Sequence, residues 1–296
     1  MTVEWLVLAP LVPAILVPVV LLWGFAGCGF PGIGSVLRPT NVRAEGISVS
    51  EIRLTWENPH GPGVTFEVER TKEGETIPQT LAMSEMTLID SGLEEATTYF
   101  YTVTAMRIEY NDDSGPSDRV AGRTIGVAFE AGLTNDQTGW EGYCMVQRIE
   151  PARLRQSTLP GDMQTPGARV RITVRGSTAA SLTLDRIYIS RPAASGDPYD
   201  SAGDLIPVAS GVVVPANAAV ALDLIDYDLD RTSPLLIAFD ISSNAGAGNL
   251  RHIAGVPATD ATTYFRPATV EASNSSRSPG YLSSATIYVV EKIEVV

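Results

Sequence analysis

The sequence predicts an all-β protein, built as two β-sandwich domains behind an apolar N-terminal segment. Three observations carry that expectation. Runs such as Ile52-Arg53-Leu54-Thr55-Trp56 and Thr65-Phe66-Glu67-Val68-Glu69-Arg70 alternate apolar and polar side chains, which gives an extended segment one buried and one wet face. Turn-forming residues separate such runs at the spacing of a sandwich. No convincing amphipathic helix interrupts the strands of the C-terminal half.

The first element is residues 1–36. Trp5 to Leu37 holds no charged residue and is long enough to cross a hydrocarbon core of roughly 30 Å if helical. Pro10, Pro13 and Pro18 fall inside it, however, and each removes a backbone donor and clashes with the preceding turn. No Lys or Arg precedes Arg38, so the basic start of a secretory signal is missing. Phe25-Ala26-Gly27-Cys28 resembles the lipobox of bacterial lipoproteins, in which the Cys is lipidated, although Leu is usual where Phe25 stands. Three readings follow: a lipoprotein signal modified at Cys28, a membrane anchor, and an assembly peptide that docks among other subunits. A sticky apolar terminus needs partners to cover it, which favours a homo-oligomer or a larger particle.

Composition narrows the function classes. The chain has 296 residues, enough for two domains that each bury a core without staples. With 34 acidic against 21 basic side chains the net charge is −13, so nucleic acid is not an expected partner. Cys28 and Cys144 lie far apart, which gives a disulfide little support. His60 and His252 are the two histidines, in no spacing typical of zinc sites or triads. Neither a cofactor nor a catalytic residue is expected, and no G-x-S-x-G nucleophile motif is present.

The second element follows the cluster Pro31-Gly32-Ile33-Gly34. Here Pro39 precedes the first strand, Trp56 lies in the second, and Leu93, Thr97 and Tyr99 lead into a strand from Tyr99 to Met106. Ser114-Gly115-Pro116-Ser117 opens the last strand. The segment from Leu37 to about Thr124, assigned to a domain of residues 37–125, resembles a fibronectin type III domain, with Tyr99 as the tyrosine corner. The resemblance implies a spacer or docking module in which Trp56 and Tyr99 are core residues. Its family's Arg-Gly-Asp loop is absent.

The third element, residues 126–296, again reads as strands. The clearest are Arg169 to Val174, Leu182 to Ile189, Leu235 to Phe239 and Thr286 to Val290. Long polar loops between them argue for a jelly-roll-like double sheet. Arg169 to Gly176, Leu182 to Ile189 with the following Ser195-Gly196-Asp197-Pro198-Tyr199-Asp200, and the closing Tyr288 to Val296 resemble C-terminal modules of bacteriophage tail fibres and spikes. That resemblance implies recognition of a host cell-surface glycan or receptor through loops at one end of the sandwich.

Candidate contacts are aromatic rings flanked by polar groups, since ring faces stack on sugars. They are Trp140 and Tyr143, for which core packing is the competing role, then Tyr199 with Asp197 and Asp200, and Tyr264 with Arg251 and His252. Asp226, Asp228 and Asp230 stand at period two and offer hard oxygen ligands for Ca²⁺. The EF-hand pattern fails because Arg231 stands where the loop needs Gly, and a solvated acidic face is the competing reading. Taken together, the segments predict a non-enzymatic virion attachment protein of the phage tail type. The alternatives are a surface lipoprotein or membrane-anchored adhesin at the bacterial outer membrane or cell surface, and, further off, a polysaccharide-degrading enzyme.

Overall fold

The computed structural model describes residues 35–83, 85–154 and 169–295. Cys28 and all of the apolar segment except Ser35 and Val36 lie outside them. The chain divides into a unit ending at Ser35 and a unit running from Val36 to Val296. Among the described residues every paired element is a β-strand, and the one helical element is a 3-10 turn at Ile108–Tyr110.

The first sandwich has two antiparallel sheets. One contains β1 (Thr40–Ser48), β2 (Glu51–Glu57) and β5 (Thr87–Ser91), in that order. The other runs β4 (Gln79–Met83), β3 (Thr65–Lys72), β6 (Thr98–Arg107), with β7 (Asp112–Pro116) and β8 (Val120–Arg123) both pairing with β6. The alternation seen in the sequence is the alternation of burial. Ile52, Leu54 and Trp56 point inward from β2, Phe66 and Val68 from β3, and Tyr99, Tyr101, Val103 and Ala105 from β6. Val36 joins this core, one residue ahead of the expected boundary. Trp56 meets Phe66 edge-on at 5.4 Å, and the Tyr99 hydroxyl accepts the Glu94 N–H at 3.0 Å, closing the tyrosine corner.

The second sandwich is larger. Its six-stranded sheet runs β14 (Ile206–Val214), β13 (Leu182–Ser190), β17 (Leu235–Ile241), β11 (Tyr143–Ile149), β19 (Ala261–Pro267), β20 (Leu282–Ser284). Facing it across the core is a sheet ordered β15 (Ala219–Ala221), β12 (Arg169–Arg175), β22 (Val290–Val295), β9 (Gly126–Glu130), with β16 (Ile225–Asp226) also on β12. A small third sheet joins β10 (Asn135–Gln137), β18 (Leu250–Ala254) and β21 (Thr286–Tyr288). Every pairing is antiparallel, and the chain passes repeatedly from one sheet to another, as a jelly-roll-like double sheet requires.

One expected strand is divided. Thr286 to Val290 reads as a single run, but Val289 takes a left-handed backbone (φ 62°), and the chain leaves β21 there to enter β22. A β-branched residue rarely adopts that conformation. Here it is fully buried, its N–H bonded to the Arg251 carbonyl at 2.9 Å and its own carbonyl to the Arg175 N–H at 2.8 Å.

Only Thr124 and Ile125 separate β8 from β9, and both are buried. The Thr124 hydroxyl donates to the Glu94 carbonyl at 2.6 Å and accepts the Thr97 N–H at 2.9 Å. Ile125 donates its N–H to Ser48 and accepts that of Ala96, and the Glu95 carboxylate accepts the N–H of Val127, already in β9, at 2.7 Å. The loop that holds the tyrosine corner thus also grips the junction.

Candidate functional site

In β11 and β17 almost every side chain is buried, on both faces of the sheet. Met145, Ile149, Leu235, Ile237, Phe239 and Ile241 fill the core between the sheets. Cys144, Val146, Leu236 and Ala238 point the other way and are covered by two loops, residues 191–205 and 268–281, which bring Tyr199 and Ala272 over them. Tyr264 from β19 and Tyr281 pack on the same cluster, with ring centroids 5.4 Å and 4.5 Å from that of Tyr199.

Polar groups latch the two loops together. Ser201 donates its N–H to the Ser275 carbonyl at 2.8 Å, and Arg277 donates its own N–H to Asp200 at 2.8 Å. The buried Arg277 guanidinium donates to the Tyr199 carbonyl and, at 3.2 Å, to that of Ala272. Burial lowers the pKa of this arginine, and the carbonyls around it replace the hydration it has lost. Beneath lies Asp240, wholly buried, which accepts the N–H groups of Glu271 and Ala272 at 3.2 and 3.1 Å. Burial pushes up the Cys144 thiol and the Tyr281 hydroxyl, so both stay protonated at neutral pH.

Against this geometry the candidates sort by their neighbours. Asp197 accepts the Tyr199 hydroxyl at 2.9 Å, and Asp200 accepts the N–H of Asp197 at 3.2 Å. Tyr199 and Asp200 are themselves buried, so the trio shapes the loop more than it faces solvent. Tyr264 belongs with Tyr199 rather than with Arg251 and His252, because β19 and β18 lie in different sheets. It stays half-buried, its pKa raised by burial, at an edge where Arg148 reaches the Pro198 carbonyl at 3.2 Å and Glu150 at 2.6 Å.

Trp140 stands in a loop, as the surrounding glycines suggest, but the residue is only 8% exposed. Tyr143, Phe265 and Tyr288 enclose it at 4.9, 5.1 and 5.5 Å, leaving no free face for a sugar. His252 reaches the same group through Tyr288 at 5.5 Å. Arg251, its neighbour in β18, is held by the Leu133 carbonyl at 2.9 Å and by Asp136 at 3.0 Å.

The acidic run is extended as expected, with Tyr227 and Leu229 in the core and Asp226 and Asp228 outward. Its carboxylates do not converge, because Asp230 is used by the N–H and hydroxyl of Thr232 (2.8 and 2.6 Å) and the hydroxyl of Ser233 (2.7 Å). Among the described residues no group of three His, Cys, Asp or Glu side chains is placed to hold a metal ion.

Sequence reasoning passed over Asp240, Arg277 and Tyr281. An aspartate inside the apolar run Leu235 to Ile241 was the available signal for the first, since a buried carboxylate needs donors from elsewhere in the chain. The other two sit in a loop whose composition resembles the rest.

The architecture defines a tandem β-sandwich protein with a polar, tyrosine-rich cap on one sheet. Residues 37–122 match the family model of the fibronectin type III domain. Similar solved structures include a Fn3-like protein from Clostridium thermocellum, 22% identical over 31% of this chain and 95% of that one with a TM-score of 0.27. The FN5 domain of Drosophila Lar is 19% identical over 29% and 92% of the two chains, with a TM-score of 0.25. A two-domain fibronectin type III segment from chicken tenascin is 10% identical over 86% and 99%, with a TM-score of 0.29. No curated protein matches the chain.

Proposed function

We propose that the protein is a non-enzymatic attachment component of a phage-like particle, in which the apolar residues 1–36 dock among neighbouring subunits and the sandwiches contact a host cell-surface glycan. The observation that carries the reading is the tyrosine cap. Tyr264 is a half-buried aromatic ring beside Arg148 and Glu150, the pairing of apolar face and polar rim that suits a sugar ring, and Tyr281, packed between Tyr199 and Arg266, helps hold the cap in place. The cap's other titratable groups are occupied in holding loops, and its buried thiol is kept protonated, so the arrangement favours recognition over chemistry.

The test is a binding assay of the fluorescently labelled full chain on intact and glycan-stripped bacteria. Binding that disappears on stripping, and falls about tenfold in Tyr264→Ala, is the expected result. Binding indifferent to both treatments overturns the reading.

A further inference from the structure

A groove of about 710 Å³ lies where the two sandwiches meet, lined by β1, β2, β8 and the first residue of β12. It gathers Arg43, Arg53, Arg123 and Arg169 around a single carboxylate, Glu45, in a chain whose net charge is −13. None of the four arginines makes an ion pair among the described residues, although Arg70, Arg148, Arg175, Arg191 and Arg251 do. Arg43 and Arg53 are exposed and Arg123 and Arg169 half-buried. One terminal nitrogen of Arg123 is buried with no hydrogen-bond partner. Such a donor is costly to leave unpaired, and a guanidinium is shaped to meet an oxyanion with two parallel bonds.

We infer that this groove binds an oligosaccharide bearing anionic groups, with Arg123 and Arg169 as the inner contacts and Arg43 and Arg53 as the outer ones. Its volume is that of an organic-ligand pocket and exceeds what one small anion needs, which favours a ligand with several charges along its length. A long polyanion would meet the repulsion of the acidic surface beyond the groove, so the recognised segment is short. A peptide added as an extra strand does not fit the site. A side chain at Gly46 would overlap the Arg123 carbonyl, and one at Gly122 would meet Ala44 and Ile52, so the edges of β1 and β8 already close on each other. What remains is a surface of guanidinium groups. The choice of a sugar as the carrier rests on the attachment reading above, while the anion site rests on the arginines alone.

Two sources of the charge, carboxylate and sulfate, are separated by titrating the full chain calorimetrically with tetragalacturonate and with a sulfated tetrasaccharide, against neutral maltotetraose. Binding of either acidic ligand at least about tenfold tighter than the neutral one, weakened by added salt, is expected and identifies the anion. In the double variant Arg123→Gln/Arg169→Gln, and separately in Arg53→Gln, that preference shrinks while the circular dichroism melt is unchanged. Equal affinity for all three sugars, or full affinity in a folded double variant, overturns the groove. Cell attachment of the unsubstituted chain keeps the two readings apart: glycan-dependent attachment with no preference for either acidic sugar removes the groove and leaves the tyrosine cap standing, whereas acidic-sugar binding without glycan-dependent attachment removes the attachment reading and leaves the anion site.

Discussion

At the scale of single residues, the backbone conformation of two valines decides how they respond to substitution. Val270 in the covering loop has φ 72° and is 50% exposed, so a β-branched side chain holds a left-handed conformation with no packing to compensate. The strain is on the order of 1–2 kcal/mol. Val270→Asn places a residue there that accepts this region, and the melting temperature should rise by about 2–4 °C, as a thermal scan would show. No rise would mean that the loop already relaxes in solution. Val289 shares the conformation but is buried and bonded through both its N–H and carbonyl, so the same exchange there would sacrifice the core. Neither conformation is legible in the sequence, because Gly and Asn advertise left-handed positions and Val does not.

At the scale of elements, the two loops over β11 and β17 act as one lid because Arg277 joins them. Arg277→Ala removes donors to the carbonyls of Tyr199 and Ala272 and leaves both short of partners in a buried setting. A loss of about 2–3 kcal/mol is expected in chemical denaturation. Cys144 lies directly beneath the lid with no exposure, so in a Cys28→Ser background its modification by a maleimide should accelerate in the variant. Unchanged labelling would show that the loops hold their place without the arginine. Of the two strands under this lid, β17 was legible as the apolar run Leu235 to Phe239, whereas β11 was not singled out. The lid itself was not, since Tyr199, Tyr264 and Tyr281 come together only through long-range pairing, and local patterning carries no record of which sheet a strand joins.

At the scale of the whole molecule, stability depends on pH through groups at the polar margins. Burial lowers the pKa of His252, with Asp136 opposing the shift, so the unfolded chain takes up a proton more readily than the folded one. Stability from this histidine is complete above its ordinary pKa and is lost as pH falls through that value toward the folded one. The melting temperature should decline between about pH 7.5 and 5.5, and His252→Gln should flatten the decline. An equal slope in the variant would assign the effect elsewhere. Asp136, Asp230 and Glu271 have lowered pKa values and withdraw their contributions only at more acidic pH. The fold was legible in outline at this scale. Alternation marked the strands of the first sandwich, and Tyr99 marked its corner. The arginines of the groove went unnoticed because they are far apart in sequence and meet only where one sandwich ends and the next begins.

The junction at Thr124 and Ile125 has a mechanical meaning. Two buried residues, gripped by backbone bonds from Ser48 and Ala96, leave no slack that a pull could take up. Force applied to the second sandwich is passed to the first by several hydrogen bonds loaded side by side, including the one from Val127 to Glu95. The pair therefore behaves as a lever, in contrast to modules hung on an extensible cord. Its fulcrum is the buried pair Thr124 and Ile125 itself.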